Sequence, residues 1–194
     1  MGIIALLLAA LIPVVGLTKS SGRKGAISNL LGVLEQARTL AIKDGRNTYV
    51  AFVTSGVPAS LAKDYEYRAY AIFEDDPTGA TQVQVTNWSK LPTGISFRAS
   101  NSAPVTSITT SNGYSIDLPF SPAGAMAKAS CHCIEFGSSG EVENPSGTPL
   151  VLSVFEGLVE NGTELVTSAK DSSGEPAASE SISIARLTGR AGRQ

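Results

Sequence analysis

The sequence predicts an α+β fold, with one long N-terminal helix packed on a head of antiparallel β-sheet. Three observations carry that expectation. Residues 1–45 hold an apolar run followed by a stripe at helical spacing. From Arg46 onward the hydrophobic period falls to two, with turn residues between the runs. Only 16% of the 194 residues are charged and 6% are aromatic, and 19 are glycine, which suits strands and turns better than a bundle of solvated helices. With 42% hydrophobic residues the chain can bury a core without disulfide staples.

The helix is expected from about Ile3 to Lys43. Between Ile3 and Leu17 only Pro13 and Gly16 interrupt the aliphatic sequence, and the first charge is Lys19. An apolar run of about 17 residues lies at the lower edge of what spans a bilayer. Ile3, Ile4, Leu6, Leu7, Leu8, Leu11, Ile12 and Pro13 therefore form a candidate membrane segment. A buried helix of a soluble core is the alternative, although the run has no polar face. A cleaved secretory signal fits less well, because no basic residue precedes the run. As the chain stands, Lys19, Arg23 and Lys24 place the C-terminal side in the cytoplasm, and a basic leader upstream would reverse that orientation.

From Ala26 the pattern becomes amphipathic. Ile27, Leu30, Leu31, Leu34, Ala37 and Ala41 share one stripe, the candidate packing face against the head, with Ser28, Asn29, Glu35, Arg38 and Lys43 off it. Asp44-Gly45 supplies the stop, since glycine takes the left-handed conformation that closes a helix. Pro13 is a place for a kink, and Gly16, Gly22 and Gly25 soften the middle.

Strands are expected at Thr48 to Val53, Tyr65 to Phe73 and Gln82 to Trp88, separated by Gly56-Val57-Pro58 and by the turn from Glu74 to Gly79. Ala99 to Gly113 is Ser/Thr/Asn-rich and ends in Asn-Gly, a hairpin signal. Further strands are expected at Tyr114 to Leu118, Ala129 to Phe136, Leu150 to Phe155 and Ser181 to Leu187. Asn161 to Ser179, acidic and rich in small residues, reads as a flexible exposed loop, and the C-terminus as a basic tail of a 46–194 head.

Catalytic chemistry has few parts to work with. The net charge of -2 gives no global basic field for nucleic acid. The one histidine, His132, lies between Cys131 and Cys133, and no Gly-x-Ser-x-Gly elbow or phosphate-cradling Gly-rich loop with Lys-Ser/Thr occurs. No enzyme activity, cofactor or small-molecule substrate is expected. On a strand His132 would face away from both thiols, which disfavours a metal site, and cysteines two apart on one face are too far apart for a disulfide, leaving buried thiols or one thiol bridging a partner. Glu74-Asp75-Asp76 matches no Ca2+-loop spacing and reads as a solvated turn. Arg186, Arg190 and Arg193, with no acid after Glu180, are the candidate DNA contact, sequence-blind and salt-sensitive.

Several stretches together resemble a known family. Gly2 to Pro13 is similar to the later part of the conserved hydrophobic helix of type IV pilin-like proteins. Ala37-Arg38-Thr39-Leu40-Ala41-Ile42 resembles the Ala-Arg-x-x-Ala-Ile helix end of minor pseudopilins of the GspH/FimT kind. Trp88, Leu91-Pro92, Gly94-Ile95 and Phe97 resemble a strand and turn of the head, Ile134, Phe136 and Gly140 an Ile-x-Phe-x-x-x-Gly hairpin, and Thr188-Gly189-Arg190 the terminal strand ending. The resemblance implies a pilin-like fold and a structural or priming subunit of a type II secretion or type IV pilus-like filament. Its expected partners are other pilin or pseudopilin subunits, the inner membrane and an assembly platform driven by a separate ATPase. It also implies a single-pass inner-membrane anchor with a periplasmic head, and N-terminal methylation. The processing motif would lie roughly nine or more residues upstream of Met1. Gly189-Arg190-Ala191-Gly192-Arg193 loosely resembles a DNA-contacting motif of some FimT-like members. The alternative function is a membrane-anchored extracytoplasmic binding module.

Overall fold

The computed structural model describes residues 2–99, 115–124, 127–143 and 150–194, with the backbone alone for residues 2–21 and 115. Helix α1 runs unbroken from Gly2 to Asp44, through Pro13 and the glycines. It stops where Gly45 turns left-handed at φ +64 and donates its N–H to the Ala41 carbonyl at 3.0 Å. Ala26, Ile27, Leu30, Leu34, Ala37 and Ala41 are buried to within 2% of their surface, and Leu31 packs half-buried beside them.

The head follows in chain order as β1 (Thr48–Ser55), α2 (Ala59–Tyr65), β2 (Ala69–Asp75), β3 (Gln82–Gln84), β4 (Ser89–Lys90), β5 (Ile95–Phe97), β6 (Ser115–Pro119), β7 (Lys128–Phe136), β8 (Leu150–Glu160), β9 (Thr163–Val166), β10 (Ser179–Ile184) and β11 (Ala191–Arg193). One antiparallel sheet has the order β3-β2-β1-β7-β6, with β4 also on β2, and the second has the order β11-β10-β8-β5, with β9 also on β8. The stripe of α1, Val50, Phe52, Ile72 and Ile134 from the first sheet, and Phe97, Leu152, Val154 and Ile182 from the second form one cluster. The helix thus closes both sheets over a shared core. β1 is central and buried on both faces, because Tyr49, Ala51 and Val53 meet a second cluster completed by Phe73, Phe120, Cys131 and Cys133.

The structure corrects several expectations. The strand expected at Tyr65 to Phe73 begins only at Ala69, because Pro58 opens α2 and its carbonyl accepts the N–H groups of Leu61 and Ala62. Tyr67, at φ +54, then turns the chain. Its N–H reaches Val53 O and its carbonyl accepts Phe97 N–H, both at 2.8 Å, so one left-handed residue joins the two sheets. The strand expected at Gln82 to Trp88 ends at Gln84, because the N–H groups of Val85 and Thr86 both converge on the Ile72 carbonyl, and pairing with β2 resumes only at Ser89. The segment expected to be a flexible loop at 161–179 carries β9. Asn161 and Gly162, at φ +50 and +75, supply the two left-handed residues of a tight hairpin turn. The expected basic tail is strand β11, held to β10 after a hairpin closed by Ala185 N–H on Arg190 O. β10 accordingly ends at Ile184, and Leu187 lies 94% exposed. The hairpin signal before Gly113 falls within residues 100–114, outside the described residues.

Candidate functional site

At the C-terminal end of α1 three distant stretches meet. Arg38 donates from Nε to the Thr188 carbonyl at 2.6 Å and from Nη1 to Glu35 at 3.0 Å. The turn after β7 brings Gly140 against Ile42, whose Cδ1 would lie 2.6 Å from an added Cβ. Gly189 in turn seats on Gly140, since a Cβ there would overlap the Gly140 carbonyl oxygen and press on Arg38 and Phe136. Val142 N–H donates to Arg186 O at 2.8 Å and closes the arrangement. The helix end, the β7 turn and the β10–β11 hairpin are therefore fixed by backbone approaches that only glycine allows.

The opposite end of the buried stripe lies beside the Pro92–Ile95 turn. Gly22 faces Ile95, and Arg23 forms an ion pair with Glu156 of β8 at 3.1 Å. A cavity of about 280 Å³ lies between Gly22 and the Pro92–Ile95 turn, bordered by Glu156 and Thr167.

The candidate DNA contacts are not gathered into one exposed basic row. Arg193 is ion-paired with Glu180, Arg186 is half-buried and Arg190 is exposed. Cys131 and Cys133 are thiols not joined in a disulfide, on one buried face of β7, with His132 on the other. Burial, with a smaller contribution from Asp117, pushes the Cys131 thiol up to about 12, and burial pushes Cys133 up as well, so neither is poised as a thiolate.

The acidic run divides among separate partners. Glu74 pairs with Arg46 at 2.6 Å, Asp75 accepts hydrogen bonds from Tyr49 and Gln82, and Asp76 organises its turn by accepting from Thr78, Ala80 and Thr81. Those hydrogen bonds, that of the Thr78 hydroxyl foremost, hold the Asp76 carboxyl at about 2.

Glu135 lies beside this turn, bonded to Asn47 at 2.9 Å. Burial raises its pKa, and the nearby Glu143 and Asp75 carboxylates add to the rise against the hydrogen bonds from Asn47 and Tyr49. A carboxyl with a raised folded pKa binds its proton more tightly folded than unfolded. Its ionisation therefore destabilises the fold as pH climbs through the folded pKa, and the penalty disappears below the unfolded value. Glu135→Gln is expected to raise Tm by about 2 °C at pH 7, with solvent screening keeping the gain small, and to leave it unchanged near pH 4. Thermal melts across that range check this, and a gain independent of pH would contradict the charge account.

Two residues important to this geometry carried no sequence signal as partners. Arg98, just beyond β5, is buried against Glu164 and Glu175, and Glu156 engages Arg23 across more than a hundred residues. Such long-range pairs leave no spacing to read. No protein family and no curated protein matches the chain. Among solved structures, the chain is similar to the minor pseudopilin EpsH from the type 2 secretion system of Vibrio cholerae. The two are 14% identical, with a TM-score of 0.44, over 89% of this chain and 95% of that one.

Proposed function

We propose that the chain is a minor pseudopilin-like subunit of a type II secretion or type IV pilus-like filament, anchored in the inner membrane before assembly with its head on the periplasmic side. The observation that carries this reading is the division of labour within α1. Its stripe from Ala26 to Ala41 is buried in the head, whereas Ile3 to Leu17 continues the same helix with an apolar sequence that has no polar face. Apolar surface in water costs about 25 cal/mol per Å², so a bilayer or the helices of neighbouring subunits must cover it. The meeting of Arg38, Gly140 and Thr188-Gly189, which come from three separate stretches that carry the family resemblance, supports the same reading. Among the described residues no helix is long and apolar enough to cross a membrane. The side chains of residues 2–21 lie outside that set. DNA contact through the C-terminal arginines receives no comparable support, because Arg193 is already paired with Glu180.

Two measurements on the full chain test the proposal. Leu8→Lys places a charge in the apolar run at a cost of about 3 kcal/mol on insertion scales, and is expected to move the protein out of the membrane fraction. Unchanged partition would contradict the anchor. A cysteine at Ala9 is expected to crosslink to a neighbouring subunit only while the assembly ATPase is active. Crosslinking that is absent or independent of the ATPase would favour a binding module resident in the bilayer.

A further inference from the structure

We propose that residues Gly22–Gly25 form a hinge between the apolar part of α1 and the head, and that the Arg23–Glu156 ion pair is the latch that sets its angle. Three features coincide there. Among the described side chains of α1, close packing starts at Ala26, which is 2% exposed, and a cavity of about 280 Å³ lies beside Gly22 one turn earlier. Gly22 and Gly25 flank Arg23, and glycine is the weakest ordinary helix former because its backbone has most freedom to lose. The pair itself is set into the protein, with the Arg23 and Glu156 side chains 15% and 12% exposed and their charged atoms 3.1 Å apart.

The latch is also imperfect. Arg23 Nε and Nη1 are shut off from water yet make no hydrogen bond to a described residue, so the pair holds by charge without a full set of directed bonds. A buried cation in that state favours staying near its carboxylate but does not fix one rotamer. Beside it Gly22 approaches Ile95 closely, where an added Cβ would come within 3.3 Å. Ala26, Ile27 and Leu30, one turn further on, stay locked in the core. Bending is thereby confined to a single turn. The consequence for a filament subunit rests on the function proposed above: the head changes its tilt on the helix between membrane and filament without disturbing its own core. The hinge and latch themselves rest on the geometry alone.

The test is residue-resolved amide hydrogen exchange on the full chain in detergent micelles, where no assembly occurs, so its outcome is independent of whether the chain enters a filament. Arg23→Gln is expected to speed exchange at residues 22–26 by about three- to ten-fold while leaving residues 30–41 unchanged. The charge swap R23E/E156R is expected to restore the original rate. Gly25→Ala, where a Cβ meets nothing within 4 Å, is expected to slow exchange at the same residues by about five-fold. Unchanged exchange in Arg23→Gln, or acceleration spread evenly to residue 41, would overturn the latch. Unchanged exchange in Gly25→Ala would overturn the hinge.

Discussion

Replacing Gly189 by alanine is expected to destabilise the protein by about 3 kcal/mol or more, lowering Tm by roughly 10 °C. Two costs add at this position. The backbone sits at φ +61, where an L side chain is strained by about 1–2 kcal/mol. The new Cβ would also fall within the Gly140 carbonyl oxygen, a backbone atom that cannot rotate away, with Phe136 and Arg38 close on two other sides. Relief requires the β10–β11 hairpin to lift, which would pull the Thr188 carbonyl off Arg38. Gly174→Ala separates the two contributions, because Gly174 has a φ of +82 but nothing within 4 Å of an added Cβ. It should lose only the strain, about 1–2 kcal/mol. Equal losses in urea unfolding of the two variants would show that the seat of Gly189 on Gly140 relaxes cheaply, and that the helix end is not fixed by it.

The same junction shows what the sequence could convey. The stripe from Ile27 to Ala41, the Gly45 stop and the strands at Thr48, Ala129 and Leu150 were readable because each depends on a local period or one turn residue. Tyr65 and Tyr67 continued the alternation of a strand by coincidence. Tyr65 ends a helix capped by Pro58, and the left-handed Tyr67 bonds to Val53 and Phe97, one from each sheet. At 161–179 the composition misled, since Asn161-Gly162 followed by Leu165-Val166 was a hairpin signal obscured by the acids around it. For the C-terminal arginines the charge is legible in the sequence but its neutralisation is not, because the pairing of β10 with β11 sets Arg193 opposite Ile182 and so diagonally beside Glu180. The glycines at 140 and 189 were visible as turn residues, yet their mutual contact is a fact of tertiary structure alone.

Arg98→Met is expected to cost about 3–5 kcal/mol and to free the 161–179 segment before the rest of the head unfolds. Arg98 is 2% exposed, with Nε on Glu164 at 2.9 Å, Nη2 on Glu175 at 2.5 Å and the guanidinium over the Phe155 ring. Burial alone would lower its pKa, but the two carboxylates outweigh that and raise it, so the cation is firmly held. Glu164 lies on β9 and Glu175 in the turn built on Asp171, so one side chain gathers both arms of the segment against the end of β5. Glu164 also accepts the Ala99 N–H at 2.7 Å, which ties the same carboxylate to the backbone beside Arg98. Methionine would fill most of the volume but take the cation away from Glu164, 9% exposed, and Glu175, 33% exposed, and the loss of that charge beside the more buried Glu164 is the main cost. The triple variant R98M/E164Q/E175Q is therefore expected to recover most of the loss, since replacing a whole buried ion cluster costs far less than removing one member of it. Urea unfolding gives the energies, and amide exchange at residues 163–177 gives the order of events. A triple variant no more stable than Arg98→Met would mean that the arginine acts through its packing on Phe155, with the charge network incidental to the fold.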